Sequence, residues 1–574
     1  MYILGINAFH GDSSASLLKD GEIICAVEEE RFRRIKHWAG FPSESIKFCL
    51  EDSGISIDDI DYITISRDPK SNFLKKILYS IKYRMNISTI IDRTNNFFKV
   101  NSIKKLFSEE FNIPINKINA KFFNIEHHRS HMASAFFASE FKDSAILSID
   151  GFGDFTSTMY GIGKGNKIKV MNCLNYPHSL GLFYTAATQF LGFEKFGDEY
   201  KIMGLSSYGD DKYCDQLSTL VKISKDGFFK LNPKFFKHFR SGVSMNWENG
   251  CPNVERLFTK EWERIFFRSR NANEEIKKHH IDFASSVQLF TEKIVFNILN
   301  EIYHRTKIDS LCFAGGVSQN SVLNGKIIQN TPFKNIYVPS AGHDAGTSIG
   351  SALYLYNHIL NNKRGKKMIT SFFGKKSNNY EIIKTIDQHN IPYKKLDYYD
   401  MIDYVSDQLV KGKVVGWFQG RAEFGPRSLG NRSILVDPRR EDAKELLNSK
   451  IKRREGFRPF APSILEDFVG DYFDFPEEVP FMEKVLKIKS EKYGEIPAVT
   501  HVDGTGRLQT VNKKSSPKFY DLINSFYKKT GVPILLNTSF NENEPIVNLP
   551  EHALDCFVRT KMDILVMEDI IVER

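Results

Sequence analysis

The chain has few of the features that mark secreted, membrane-embedded or disulfide-built proteins. Its 574 residues include seven cysteines (Cys25, Cys49, Cys173, Cys214, Cys251, Cys312 and Cys556), no two of which form a C-x-x-C pair. A disulfide scaffold and a cysteine-only zinc site are therefore not expected, and the thiols read as reduced. No run of about 18 uncharged apolar residues occurs, which argues against a membrane-spanning helix. The opening MYILGINAFHGD lacks the basic start and small-residue cleavage site of a signal peptide. Together these absences predict a cytoplasmic enzyme with no membrane partner.

What is present supports folded cores. Apolar residues make up 41% of the chain and aromatics 13%, too much for a disordered protein. The charge is uneven: 79 Lys and Arg stand against 70 Asp and Glu, a balance of +9. Between Arg67 and Lys105 ten basic residues face only Asp68 and Asp92, so that segment alone carries +8. One reading is an anionic partner, nucleic acid or a lipid surface. The preferred one is a solvated insertion of helical period, with Phe73, Ile77, Ile81 and Met85 turned inward and the lysines outward.

The order of predicted elements repeats. Tyr2–Ala8, Ala15–Leu18 and Ile23–Val27 read as strands, the last two joined by a hairpin at Asp20-Gly21. Near position 145 the pattern returns: strand Ala145–Ile149, polar loop 150–154, strand Thr156–Ile162, a turn, and strand Ile168–Asn172. This suggests two related α/β halves. Helices are expected at Ser43–Asp52 and Ser130–Glu140. Further on, Ile281–His304 has helical period through Phe283, Val287, Phe290, Ile294 and Ile298. Strand Ser310–Phe313 runs into Gly315-Gly316 and then Asn320 and Asn324, a turn that lets a nucleotide approach the main chain. Tyr337–Pro339 reads as a strand and Thr347–Leu360 as a helix. The basic, unpatterned Asn361–Ser371 marks a linker, giving domains 1–362 and 363–574.

Three clusters carry chemistry. In EHHRSHM, His127 and His131 stand four apart, which puts both imidazoles on one helical face. Asp150 and Asp344 occupy matching strand-end loops. Two imidazoles and two carboxylates suit a divalent ion, Fe²⁺, Mn²⁺ or Zn²⁺. The second cluster, between Trp417 and Pro462, sets Arg421, Arg427, Arg432, Lys450, Lys452, Arg453, Arg454 and Arg458 among glycines and prolines. Rigid loops presenting guanidinium forks suit a small phosphorylated ligand. In the third, Arg507 follows HVDGTG, and strand Val532–Leu536 delivers Asn537, Thr538 and Ser539, whose polar groups could surround an oxyanion.

These blocks resemble the NodU/CmcH-type O-carbamoyltransferase family. The matching pieces include HGDSSASLL, AVEEERFRRIKH, EHHRSHMASAF, SIDGFGD, FAGGVSQNSVLNGK, GHDAGTSIG, GRAEFGPRSLGNRSI, FRPFAPSIL, HVDGTGRLQTV and LLNTSFNENEPIV. They span almost the whole chain, but the basic segment is not among them. The resemblance implies an α/β protein: a duplicated actin/hexokinase-type domain, then a YrdC-like domain that forms carbamoyl adenylate. It implies His127, His131, Asp150 and Asp344 as metal ligands, and Gly315, Gly316, Asn320 and Asn324 as the adenine-nucleotide loop. It places Arg427, Lys452, Arg507, Asn537 and Ser539 around carbamoyl phosphate and adenylate, and His10, Asp12 and Lys36 at the acceptor hydroxyl. The implied co-substrates are carbamoyl phosphate and ATP with Mg²⁺, and the acceptor is a hydroxyl-bearing small molecule. A nucleic-acid acceptor is the disfavoured alternative, and a homodimer is left open. The family commonly reads G-E-P-I-V near the end where this chain has Asn543 before Glu544, so that loop is expected to be reshaped.

Overall fold

The computed structural model describes residues 1–83, 103–243 and 245–574, with the backbone alone for 245–248. Met85 and the middle of the basic segment, 84–102, lie outside the described residues. Two compact units emerge. The first comprises Met1–Glu30, His37–Asn320 and Ile327–Lys367; the second comprises Arg31–Lys36, Ser321–Lys326 and Met368–Arg574.

The first unit is built on two five-stranded sheets of one design. Strands β1 (Tyr2–Asn7), β2 (Ser14–Lys19), β3 (Glu22–Glu28), β4 (Tyr62–Ile65) and β5 (Lys121–Asn124) lie in the order β3-β2-β1-β4-β5. Strands β6 (Asp143–Gly153), β7 (Thr156–Lys164), β8 (Lys167–Asn175), β9 (Ser310–Ala314) and β10 (Asn335–Tyr337) lie in the order β8-β7-β6-β9-β10. In each sheet the first strand pairs antiparallel with its hairpin partner and parallel with the strand that returns after the helices. The repetition read from hydrophobic runs is thus a repetition of topology. β6 runs through Asp150, which the sequence had assigned to a loop. A bulge between Ile149 and Gly153 lets the strand continue while turning the carboxylate aside.

Helices α1 (Ser43–Ser53), α3 (His127–Phe136), α4 (Lys278–Thr306) and α5 (Thr347–Leu353) pack with these sheets, and α2 (Phe73–Lys82) is held chiefly through Tyr79. In α4, Phe283, Val287, Phe290, Ile294 and Ile298 are all buried, as the helical period requires. Helix α3 is buried on almost every side. It packs closely on α5: a side chain at Gly350 would strike the Ser130 carbonyl oxygen at 1.9 Å. The predicted strand at Tyr337–Pro339 falls earlier, as β10, because Pro339 has no N–H to give a ladder.

Helix α2 overturns an expectation. Phe73, Ile77 and Ile81 face outward, 55%, 42% and 70% exposed, and Tyr79 is the buried residue. The period was read correctly and its direction was not, because spacing alone does not say which side of a helix meets the protein.

The second unit holds a nine-stranded mixed sheet. In spatial order its strands are Lys394–Lys395, Ile570–Glu573, Ile564–Met567, Val415–Phe418, Arg432–Val436, Ile534–Ser539, Ala461–Leu465, Thr505–Val511 and Lys484–Lys487. Helices Tyr398–Val410, Pro517–Thr530 and Pro550–Arg559 contribute their apolar faces to its core, around Trp417, Leu435, Ile464, Phe519 and Phe526. Strand Ile534–Ser539 is apolar through Leu536 and polar from Asn537 on, so Ser539 stands at its C-terminal end.

Candidate metal and anion sites

In the first unit the four sequence-predicted donors converge. One nitrogen or carboxylate oxygen from each of His127, His131, Asp150 and Asp344 lies within 4.8 Å of the others, and all four residues are buried. Helix α3 supplies both histidines, one turn apart. Its first turn is capped by Glu126, whose carboxylate accepts from the Arg129 N–H at 2.9 Å. Burial and the nearby Asp154 charge push the Glu126 carboxyl up to about 8. β6 supplies Asp150, and the turn before α5 supplies Asp344.

Two glycines make room. A side chain at Gly153 would strike the His127 ring at 2.1 Å, and one at Gly316 would sit 2.7 Å from Asp150 Oδ1. The Gly316 N–H in fact donates to that oxygen at 3.0 Å, so the Gly-Gly turn orients the Asp150 carboxylate.

The donor geometry fits a cation. His127 Nε2 and His131 Nε2 are 3.1 Å apart, and His127 Nε2 is 3.1 Å from Asp150 Oδ2. Asp344 Oδ1, 3.3 Å from His131 Nε2, is buried without a hydrogen-bond partner. Burial alone would hold His131 neutral, but Asp150 and Asp344 outweigh it and raise its imidazole to about 9. Those histidines in turn hold the Asp150 carboxyl well below the usual range against the opposing effect of burial. Shared protons satisfy this set of acceptors in part, and a divalent ion would take the place of those protons. His128, between the two histidines, is different. It bonds Ser148 Oγ at 2.8 Å and the Thr156 carbonyl at 3.0 Å, and burial with the neighbouring imidazoles lowers it to about 3, so it is a neutral structural group.

Of the three residues expected at the acceptor hydroxyl, two stand beside this cluster. His10 Nδ1 pairs with Asp344 Oδ2. Asp12, in the left-handed region at φ 57°, bonds His37 Nδ1 at 2.7 Å and lies 3.9 Å from His343 Nε2. Burial opposes ionisation of Asp12, yet the charges of His37 and His343 lower its carboxyl. His37 and His343 were not singled out from sequence; each adjoins a residue that was, Lys36 and Asp344. Lys36 itself belongs to the second unit, where its charge acts on Lys452.

The expected nucleotide loop is divided. Gly315 takes φ 88°, where an added side chain would meet the Ile149 carbonyl oxygen at 2.2 Å. Asn320 forms a reciprocal amide pair with Gln288 of α4, at 2.8 and 3.1 Å. Asn324 is grouped with the second unit and donates to the Glu483 carbonyl at 2.9 Å. The resemblance places Asn320 and Asn324 in one loop, and the chain passes from the first unit to the second between residues 320 and 321.

In the second unit, cations gather. Burial lowers the Arg507 guanidinium well below its usual range, and the charges of Arg427, Arg454 and Arg458 add to the effect. Its Nε donates to Ser321 Oγ at 3.1 Å. Lys452 is buried, and its ammonium is surrounded by neutral oxygens of Ser539 and Asn541, among them Asn541 Oδ1 at 2.7 Å and Asn541 O at 2.8 Å. Burial, followed by the charges of Arg454, Lys36 and Arg458, lowers it strongly. Ser539 thus meets Lys452, whereas Asn537 spends its amide on Ser428, Ser463 and Gln509 inside the sheet. Asn543 is exposed and outside the left-handed region, so that turn needs no glycine.

The family description "Carbamoyltransferase N-terminus" matches residues 2–353, and "Carbamoyltransferase C-terminus" matches residues 406–574. The nodulation protein NolNO of Sinorhizobium fredii is 35% identical, over 99% of this chain and 80% of its own length. The 3'-hydroxymethylcephem-O-carbamoyltransferase of Amycolatopsis lactamdurans is 26% identical, over 78% of this chain and 80% of its own. Among solved structures, HypF of T. kodakarensis is similar at 12% identity and TM-score 0.32, covering 63% of this chain and 48% of that one. With both family descriptions matched in order and a relative of this identity along nearly the full length, the chain belongs to the NodU/CmcH-type carbamoyltransferase family and is a transferase.

Proposed function

We propose that the protein is an ATP-dependent O-carbamoyltransferase with a division of labour between its units. The second unit would take carbamoyl phosphate and Mg²⁺-ATP. Phosphate leaves carbamoyl phosphate on hydrolysis, an oxygen of the resulting carbamate attacks the α-phosphorus of ATP, and pyrophosphate departs to leave carbamoyl adenylate. The observation that carries this reading is the crowding of Arg507 with Arg427, Arg454 and Arg458, a cluster whose mutual repulsion a polyanionic ligand would relieve. Arg507 and Arg427 would hold the phosphate groups, and Lys452 would fix the turn that carries Ser539.

The first unit would pass the carbamoyl group to a hydroxyl of a small-molecule acceptor, a natural product, sugar or nucleoside. The acceptor oxygen attacks the carbamoyl carbon and AMP leaves. His10 is engaged by Asp344, which leaves the Asp12–His37 pair to receive the hydroxyl proton: Asp12 holds Nδ1, and Nε2 is the base. His127, His131, Asp150 and Asp344 would hold a divalent ion, Fe²⁺ first and Mn²⁺ or Zn²⁺ as alternatives, which supplies Lewis acidity toward the leaving phosphate.

The test is isotope exchange between pyrophosphate and ATP in the presence of carbamoyl phosphate. Exchange should be lost in Arg507→Gln and kept in Asp150→Asn, while transfer is lost in both. Equal loss of exchange in the two variants would contradict the division.

A further inference from the structure

Helix α2 is amphipathic in the reverse sense. A surface helix ordinarily buries its apolar stripe and shows water its charges. Here Phe73, Leu74, Ile77, Leu78 and Ile81 form one stripe at helical spacing, and their exposures run from 42% to 75%. The opposite side anchors the helix. Tyr79 is buried and donates its hydroxyl to the Phe239 carbonyl at 2.8 Å. The Asn72 amide at the start of the helix donates to the Asp154 carbonyl at 3.0 Å. Lysines border the stripe: Lys75 and Lys82 fall on one flank and Lys76 on the other when the ten residues are set at 100° steps.

We infer that α2 is an interfacial helix that docks the protein on an anionic lipid bilayer. Leu and Ile side chains enter the acyl boundary, and flanking lysines meet the headgroups. The charge argument extends beyond the helix, because the Arg67–Lys105 segment holds +8 of the chain's +9. Nucleic acid would use the same charge but gains little from an aliphatic stripe. A second copy of the chain would bury the stripe, yet a two-fold contact along it would set the bordering lysines of each helix near those of the other. A bilayer satisfies both the apolar face and its basic borders. This docking is peripheral: among the described residues no helix is long and apolar enough to cross a membrane.

The test uses the full-length protein and sucrose-loaded vesicles of phosphatidylcholine, with and without phosphatidylserine. Wild type should sediment with the anionic vesicles and not with the neutral ones. The Leu74→Gln/Leu78→Gln/Ile81→Gln variant should lose more than about tenfold in partitioning, and Lys82→Gln about fivefold. The thermal midpoint should be unchanged in both, since the altered side chains lie outside the core. Absence of wild-type binding, or equal binding by the triple variant, would overturn the inference. So would a triple variant that melts markedly earlier, which would mean that the chain itself covers the stripe. Conversion of a wild-type dimer to a monomer by the same changes would assign the face to a second copy instead.

Discussion

Arg507→Gln should make the protein more stable and less active at once. The guanidinium is pressed by burial and by Arg427, Arg454 and Arg458. In a medium of effective dielectric about 20, two like charges about 10 Å apart cost roughly 1.7 kcal/mol before ionic screening. Screening and the surviving partner at Ser321, which glutamine can also reach, leave a net gain of about 1 kcal/mol in the absence of ligand. For a unit of this size that raises the thermal midpoint by about 2–4 °C. Removing one charge-assisted donor from a developing phosphate should meanwhile cost about 10²–10³ in the adenylation rate. The assay is differential scanning fluorimetry with and without pyrophosphate, alongside pyrophosphate–ATP exchange. Pyrophosphate should stabilise the wild type and hardly move the variant. A variant that melts several degrees lower and exchanges normally would show that Arg507 is a structural residue, and the anion-site argument would fall.

Gly316→Ala brings a methyl group to about the position that lies 2.7 Å from Asp150 Oδ1. Displacing that carboxylate should weaken binding of a divalent ion by about 10–100-fold, measured by titration of the apoprotein, with the melting curve little changed. Asp150→Asn should reduce bound metal, read by elemental analysis, and abolish transfer while sparing exchange. His37→Asn should lower the transfer rate by about 10²–10⁴ with acceptor binding kept, whereas loss of binding alone would argue for a positioning role. Burial lowers His238 to about 4, and its Nε2–H donates to the Pro177 carbonyl at 2.9 Å. Because the unfolded chain binds the proton first, stability should fall as pH drops from about 6.5 to about 4, by about 3 kcal/mol in total for this group. His238→Gln should flatten that fall in urea titrations.

The grouping of His127, His131, Asp150 and Asp344 was legible in the sequence because its signals are local: an i, i+4 histidine pair on a helix and two aspartates in polar stretches that follow apolar runs, although β6 in fact continues through Asp150. The duplicated α/β architecture was legible for the same reason, since each half opens with a strand and hairpin of recognisable period. Pairings formed by side chains distant in the chain were not. His37 reaches Asp12, and His343 approaches it, only once β1 and the turn before α5 are in place. Lys36 is joined to His10 and Asp12 by the family resemblance alone, and the chain passes from one unit to the other between residues 36 and 37. The outward stripe of α2 was missed for a simpler reason: periodicity is symmetric under rotation of the helix and carries no information on what lies behind it.

The bulge in β6 and the turn before α5 have a consequence for how the protein is made. The quartet draws on residues 127, 131, 150 and 344, so more than half the chain must be synthesised before the last carboxylate exists. A growing polypeptide therefore carries at most three of the four converging side chains until Asp344 is made. On the proposed reading of the quartet as a metal site, a product truncated before Asp344 would lack one of its four ligands.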